Sequence, residues 1–359
     1  MASVEVLDLD STADRQRWED LVEEAPTPDI YYRPGYVDAC RVAENGHVVG
    51  LLVRTHANSF LIPLLLKKIP DLGDGDDSGY DGITPYGYGG ILLISNNPVA
   101  ADSAALLVSE LRNWCLASQV VSCLIRLHPL LNEAAWFGGS KNMDRFGLHY
   151  HGPTVGISMS QWDEANLRIS GMRADRKSNL NRARKFLDVV WTNDIIEVES
   201  FRAVYDDTMR RLGAEQRYFF PAEYYRRLVA NLGDKVLFGF ARYEGKIAGA
   251  AIFLLDELYA HYHLSGTTDV GRSYKAATLL INDAVGIGRR RGCKLLHLGG
   301  GTEGEDELFM FKASFGGSRF SYSFATLVAD VRRYEQLTAL RFNTTSPVLE
   351  REFFPAYRA

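Results

Sequence analysis

The sequence offers no pairing of cysteines. Four are present, Cys40, Cys115, Cys123 and Cys293, spread through 359 residues without a CxxC or CxH spacing. That excludes a disulfide framework and a structural zinc site, and leaves four reduced, mostly buried thiols. No apolar run approaches the ~20 residues that span a bilayer. The amino terminus, MASVEVLDLD, is acidic and lacks the basic and apolar regions of a secretory signal, so a cytoplasmic protein without membrane insertion is expected. Basic charge is not in excess either: 40 Lys and Arg face 45 Asp and Glu, for a net charge of −5. Phosphate contacts require lysine and arginine, so any nucleic-acid contact must come from a local patch.

What the chain does contain is an ordinary globular composition, 46% hydrophobic and 24% charged, at a length that favours two domains. In the first half, residues 4–9 alternate as a strand and Ser11 is placed to cap a helix over residues 12–24. Residues 30–41, IYYRPGYVDACR, predict an aromatic turn running into a second helix. Residues 47–54 and 59–67 read as a strand pair, and the acidic, glycine-rich residues 70–79 read as a mobile loop. The loop over residues 80–90, YDGITPYGYGG, is either a strand connection or a ligand wrap, because glycine allows close backbone approach and tyrosine presents a flat face with a polar tip. Residues 100–117 form an amphipathic helix, and residues 120–127 a strand ending at His128, which reads as structural.

From Pro153 the order of elements begins again, without a visible short repeat. Residues 170–185, SGMRADRKSNLNRARK, gather Arg173, Arg176, Lys177, Arg182, Arg184 and Lys185 within about four helical turns. Such a helix either grips a phosphate backbone or is a solvated face. In GAEQRYFFPAEYYRRL, Arg217 and Tyr224 flank Pro221, and an arginine fork with a tyrosine hydroxyl suits a diphosphate or carboxylate. Residues 235–243 and 246–255 form a hairpin across Glu244-Gly245, and residues 258–264 extend the sheet. Tyr262 and His263 are neighbours, so they point to opposite faces of a regular strand, and each reads as packing. The following segment, TTDVGRSYKAATLL, has a single glycine, Gly271, where an acyl-CoA-binding protein places a glycine-rich loop at a helix start. The GIG at residues 286–288 comes too late in that helix, where amides are already paired.

The rest is organised around residues 298–317, LGGGTEGEDELFMFKASFGG. A strand runs into three glycines and an acidic loop, then carries Lys312 between Phe311 and Phe315. Either the lysine snorkels from a strand edge, or its ammonium is shielded from water and acts on a developing oxyanion. A strand ending in LGG, an acidic loop and D-x-L-x-x-F-K-x-x-F resemble the carboxy-terminal signature of the FemABX aminoacyltransferases.

The resemblance implies an α+β fold of two GNAT-like domains, each a mixed, mostly antiparallel sheet flanked by helices. They would span residues 1–153 and 154–330, with a helical tail, 331–359, returning to the first. It implies transfer of an amino acid from aminoacyl-tRNA to an amine of a peptide or nucleotide-linked peptide, such as a muropeptide precursor or a natural-product peptide, by a monomer with no cofactor and no metal. On the matching positions, Lys312 would stabilise the oxyanion beside Phe311. Arg217 and Tyr224 would bind the acceptor, although extra residues separate this arginine from its proline. Arg41 would meet a phosphate or else remain a solvated helix end, Tyr86 and Tyr88 would line the substrate loop, and Arg173, Arg176, Lys177, Arg182 and Arg184 would contact the tRNA backbone. The family also lacks the CoA loop. Its long helical arm has no counterpart, since the basic helix ends near Val189. An acetyl-CoA-dependent N-acyltransferase of the same double fold and a non-catalytic RNA- or peptide-binding module remain as alternatives.

Overall fold

The computed structural model describes residues 2–72, 79–138, 145–343 and 353–359. It divides into two compact units, Met1–His151 with Tyr322–Ala359, and Gly152–Ser321. The acidic loop of residues 70–79 lies mostly outside the described residues.

The first unit opens with β1 (Ser3–Asp8), α1 (Thr12–Glu24), α2 (Pro34–Glu44), β2 (His47–Arg54) and β3 (Ser59–Lys68). It continues through β4 (Tyr80–Ile83), β5 (Leu92–Leu93), α3 (Ala101–Ala117), β6 (Val120–Arg126) and the start of β7 (Phe146–Ser158). Ser11 caps α1 by accepting the Asp14 N–H at 3.3 Å. Proline stands at the first position of α2, where its missing N–H costs nothing. The strand order is β1-β2-β3-β4-β6, with β4 and β6 parallel and the other neighbours antiparallel. Both faces are covered, and β3 shows why its alternation matters: Phe60, Ile62 and Leu64 pack toward α3, whereas Leu61 and Leu65 pack with Trp18, Val22 and Val37 of α1 and α2.

The second unit holds β8 (Trp162–Asp163), β9 (Arg168–Ile169), α4 (Ala174–Phe186), β10 (Asp188–Thr192), α5 (Val198–Arg211), α6 (Ala222–Leu232) and β11 (Val236–Tyr243). Then come β12 (Lys246–Leu255), β13 (Tyr259–Thr267), α7 (Asp269–Tyr274), α8 (Ala276–Arg290), β14 (Leu295–Gly300), α9 (Glu307–Ala313) and β15 (Ser318–Val328). The order is β7-β14-β13-β12-β11-β10. The hairpin β11–β12 turns at Glu244 and Gly245, both with positive φ, as a two-residue turn matched to strand twist requires. One face is packed by α4 and α8, with Leu180, Ala183, Leu279 and Val285 among the buried side chains. The other carries stacked and tilted rings, Phe201, Tyr205, Tyr225 and Phe238.

The chain re-enters the first unit along β15, which is antiparallel to β6, and ends with α10 (Val331–Phe342) and residues 353–359. Tyr334 and Leu337 of α10 are buried with Ile69, Val121 and Tyr357. Each unit is thus a mixed, mostly antiparallel sheet with helices on both faces, the α+β architecture that the resemblance implies. No helix among the described residues is long and apolar enough to cross a membrane.

Candidate active site

The second unit contains one parallel strand pair, β13 and β14, and it is short. Tyr259, Ala260 and His261 pair with Leu295, Leu296 and His297, after which the ladder stops although both strands continue. Residues 264–267 of β13 stay on β12, and Gly299 and Gly300 of β14 stay on β7. The strands therefore fork beyond the His261–His297 pair, whose buried rings meet edge to face with centroids 5.6 Å apart.

Each arm of the fork begins with an extra residue. On β13, Leu264 faces Ile252 and Tyr262 faces Phe253, so His263 is the inserted residue of a bulge. On β14, His297 faces Gly156 and Gly299 faces Val155, which leaves Leu298 as the insertion. Bulges bend strands and re-aim side chains. The simple alternation expected for Tyr262 and His263 is accordingly interrupted: the Tyr262 hydroxyl donates to Ser265 Oγ at 2.5 Å, while His263 Nε2 and the Tyr224 hydroxyl are 2.6 Å apart. Desolvation, with His261 beside it, pushes the His263 pKa down to about 3, so the ring is neutral at physiological pH.

On the other arm, Gly299 has φ +74°, a backbone state that β-carbon-bearing residues rarely adopt. Gly301 serves a neighbour rather than a ligand. A Cβ there would lie 2.2 Å from Asp306 Oδ1, and Asp306 needs that space because it accepts the N–H groups of Thr302, Glu303 and Phe309, ordering the loop and capping α9.

Lys312 lies on α9, not on a strand edge. Its side chain is buried, and Nζ donates to the Gly300 carbonyl at 2.6 Å. No carboxylate pairs with it among the described residues, and two of its three N–H donors remain uncommitted there. Desolvation pulls the ammonium down to about 8, opposed by the Asp306 carboxylate.

The aromatic pair expected around Lys312 encloses a different cation. Phe311 and Phe315, four apart on a helical turn, meet edge to face at 5.4 Å, and the Arg176 guanidinium lies 4.7 and 5.6 Å from their centroids. Lys312 is about 100° further round the helix. Arg176 is fixed by Ser314 Oγ at 2.8 Å and Thr278 Oγ1 at 3.3 Å, and the Arg173 N–H donates to the Ser314 carbonyl. The basic helix and the lysine helix are therefore locked together.

The remaining basic residues of α4 divide. Arg184 binds the Asn166 and Leu167 carbonyls. Arg173 pairs with Asp175, Arg182 lies over the Tyr274 ring, and Lys177 is half-buried. Arg217 is exposed, paired with Glu215 and stacked over Tyr218. Tyr224 is fully buried beneath Phe220, with its hydroxyl on His263. In the first unit Arg41 is held by Asp10 and Asp38, which compensate its charge. The Tyr86 N–H donates to Glu44 and its carbonyl accepts the Tyr36 hydroxyl; Tyr88 packs edge to face on Tyr31 and Tyr322.

Gly271 is accounted for by packing: a Cβ would lie 1.9 Å from the Ala248 carbonyl oxygen, so this glycine lets α7 touch β12. α7 leads into α8 through Lys275, in the left-handed region, and the Thr278 and Leu279 amides return to its carbonyl.

Residues 171–308 match the model of an acetyltransferase (GNAT) domain. Three solved structures are similar over most of their length. One is FemX, at 12% identity over 87% of this chain and 95% of that chain, with a TM-score of 0.63. Another is the carboxy-terminal domain of a putative lysylphosphatidylglycerol synthetase from Agrobacterium fabrum, at 13% over 88% and 92%, TM-score 0.55. The third is a tandem GNAT protein from the clavulanic acid biosynthesis pathway, at 14% over 92% and 99%, TM-score 0.52. No curated protein matches the chain. At these identities the likeness establishes a GNAT-like fold.

Proposed function

We propose that this protein is an aminoacyltransferase that moves an amino acid from aminoacyl-tRNA to an amine of a peptide or nucleotide-linked peptide, forming an amide. The observation that carries the reading is Lys312: a buried ammonium with no carboxylate partner among the described residues, fixed at the end of a strand fork. A desolvated cation without a carboxylate partner is costly to keep, and it is what a carbonyl oxygen becoming negative needs. An aminoacyl ester is already activated, so alignment of the amine and charge stabilisation at the carbonyl supply most of the rate.

In this reading Lys312 donates to the tetrahedral oxyanion while keeping its bond to Gly300. As the amine nitrogen bonds to the carbonyl carbon, the ester C–O bond breaks, and the amine proton passes through the neighbouring sugar hydroxyl to the departing ester oxygen, which leaves as the free hydroxyl of the tRNA. Arg173, Lys177 and Arg182 on α4 take the phosphate backbone, and exposed Arg217 takes an acidic group of the acceptor. The reaction would run in the cytoplasm, where charged tRNA is found. The FemX and lysylphosphatidylglycerol synthetase likenesses support an aminoacyl donor. So does the packing role of Gly271, because no glycine-rich loop approaches a pyrophosphate at α8.

The matched acetyltransferase model favours acetyl-CoA as the competing donor. The purified protein is therefore supplied with charged tRNA or acetyl-CoA and a panel of amines, and products are followed by mass. Amide carrying the amino acid is expected from charged tRNA. An acetylated product appearing from acetyl-CoA alone would overturn the choice of donor.

A further inference from the structure

The first unit carries a row of rings that the reaction scheme above does not use. Tyr88 meets Tyr322 edge to face at 5.1 Å, Tyr322 meets His151 at 5.4 Å, His151 meets Phe324 at 6.3 Å, and Phe324 stacks on His149 at 5.0 Å with planes 17° apart. All these spacings lie in the range of favourable ring contacts. His149 is held against Phe324 by a 3.0 Å hydrogen bond between Nε2 and Thr326 Oγ1. His149 and His151 are exposed, and Tyr322 and Phe324 are half-buried, so the row offers ring faces and edges to solvent.

A cation stands beside the row. Arg126 is the cross-strand partner of Phe324 and so shares its face. Its guanidinium donates to the Thr84 carbonyl, and no carboxylate pairs with it among the described residues. Neither β7, FGLHYHGPTVGIS, nor β15, SRFSYSFATLV, holds an acidic residue, in a chain whose net charge is −5. Successive rings flanked by an arginine without a carboxylate partner suit a ligand that is anionic along its backbone and flat in its bases, the combination that single-stranded nucleic acid presents.

We infer that His149, Phe324, His151 and Tyr322 form a stacking platform for the unpaired ribonucleotides at the 3′ end of the donor RNA, with Arg126 at a phosphate. The inference rests on the reading of aminoacyl-tRNA as the donor. A peptide or a lipid would use the rings differently, since neither supplies successive π-faces on a charged backbone.

The test is fluorescence anisotropy with a labelled single-stranded RNA tetranucleotide and with the same backbone made abasic, against wild type, His151→Ala and Phe324→Leu. His151 is exposed and leucine retains apolar volume at 324, so both variants keep the fold. Wild type should bind the base-bearing strand roughly tenfold or more tighter than the abasic one, and each variant should lose most of that difference. Equal binding of the two strands by wild type, or variants that discriminate as wild type does, overturns the platform. The donor reading is tested separately: an unchanged KM for charged tRNA in Phe324→Leu sinks the platform alone, whereas absence of amide product in wild type sinks the donor reading.

Discussion

Lys312→Met is expected to lower kcat/KM for aminoacyl transfer by about 10²–10³-fold, the usual loss when one donor to a developing oxyanion is removed. Binding of charged tRNA should be unchanged, because the phosphate contacts proposed on α4 are separate side chains. Methionine is nearly isosteric with the buried stem, so the packing of α9 is kept. Stability supplies an independent readout. With its pKa pulled from 10.5 to about 8, Lys312 costs about 3 kcal/mol at neutral pH relative to the unfolded chain. That cost is full below pH 8 and fades between pH 8 and 10.5, where the unfolded state binds the extra proton. Lys312→Met should therefore unfold at a higher temperature than wild type near pH 7, with the advantage vanishing above pH 10. In wild type, kcat/KM should fall as pH rises through about 8, because only the ammonium stabilises the oxyanion. Undiminished turnover in the variant would remove Lys312 from the chemistry, whatever its effect on melting.

Asp81→Ala is expected to destabilise the first unit by about 3–5 kcal/mol, the cost of breaking a buried ion pair on one side, or roughly 10 °C in its melting. Asp81 is buried on β4. It accepts from Ser122 Oγ at 3.0 Å and from the Tyr357 hydroxyl, and its other oxygen receives the Arg358 guanidinium. Arg358 also donates to the carbonyls of Lys67 and Lys68 at 3.1 and 2.8 Å. One carboxylate thus ties the last residues of the chain to β3, β4 and β6, and alanine would deprive the buried Tyr357 phenol and the Arg358 Nε of their charged acceptor. Truncation before Tyr357 removes the same network, so combining it with Asp81→Ala should add little. Denaturant melts of the two single variants and their combination measure this. A loss below 1 kcal/mol for Asp81→Ala would mean that the carboxy-terminal residues are held by apolar contacts instead.

Much of this architecture is legible in the sequence because it depends on local periodicity. β3 is a short apolar run, as a strand covered on both faces is, Ser11 caps α1, and Glu244-Gly245 turns the central hairpin. The site is less legible. The segment after the glycine triplet is too short for helical periodicity to stand out, so FMFKASF reads as an aromatic run, yet as a helix it puts Phe311 and Phe315 on Arg176 and turns Lys312 inward. The bulge at Leu298 exists only in the register between β14 and β7, far apart in sequence, and the one at His263 only in the pairing of the neighbouring strands β12 and β13; no spacing announces either. Tyr224 reads as a polar handle beside Pro221, but its place on the buried side of α6 commits its hydroxyl to His263. Asp81 and Arg358 are 277 residues apart, and nothing near either identifies the other as its partner.

The central claim is that the Lys312 ammonium meets the carbonyl oxygen of the aminoacyl group. A crystal structure with a stable aminoacyl-adenosine amide bound tests it most directly. The account predicts the amide carbonyl oxygen about 3 Å from Lys312 Nζ, with the bond to Gly300 retained. An analogue whose carbonyl is bound elsewhere, while Lys312 keeps Gly300 as its sole acceptor, would contradict it.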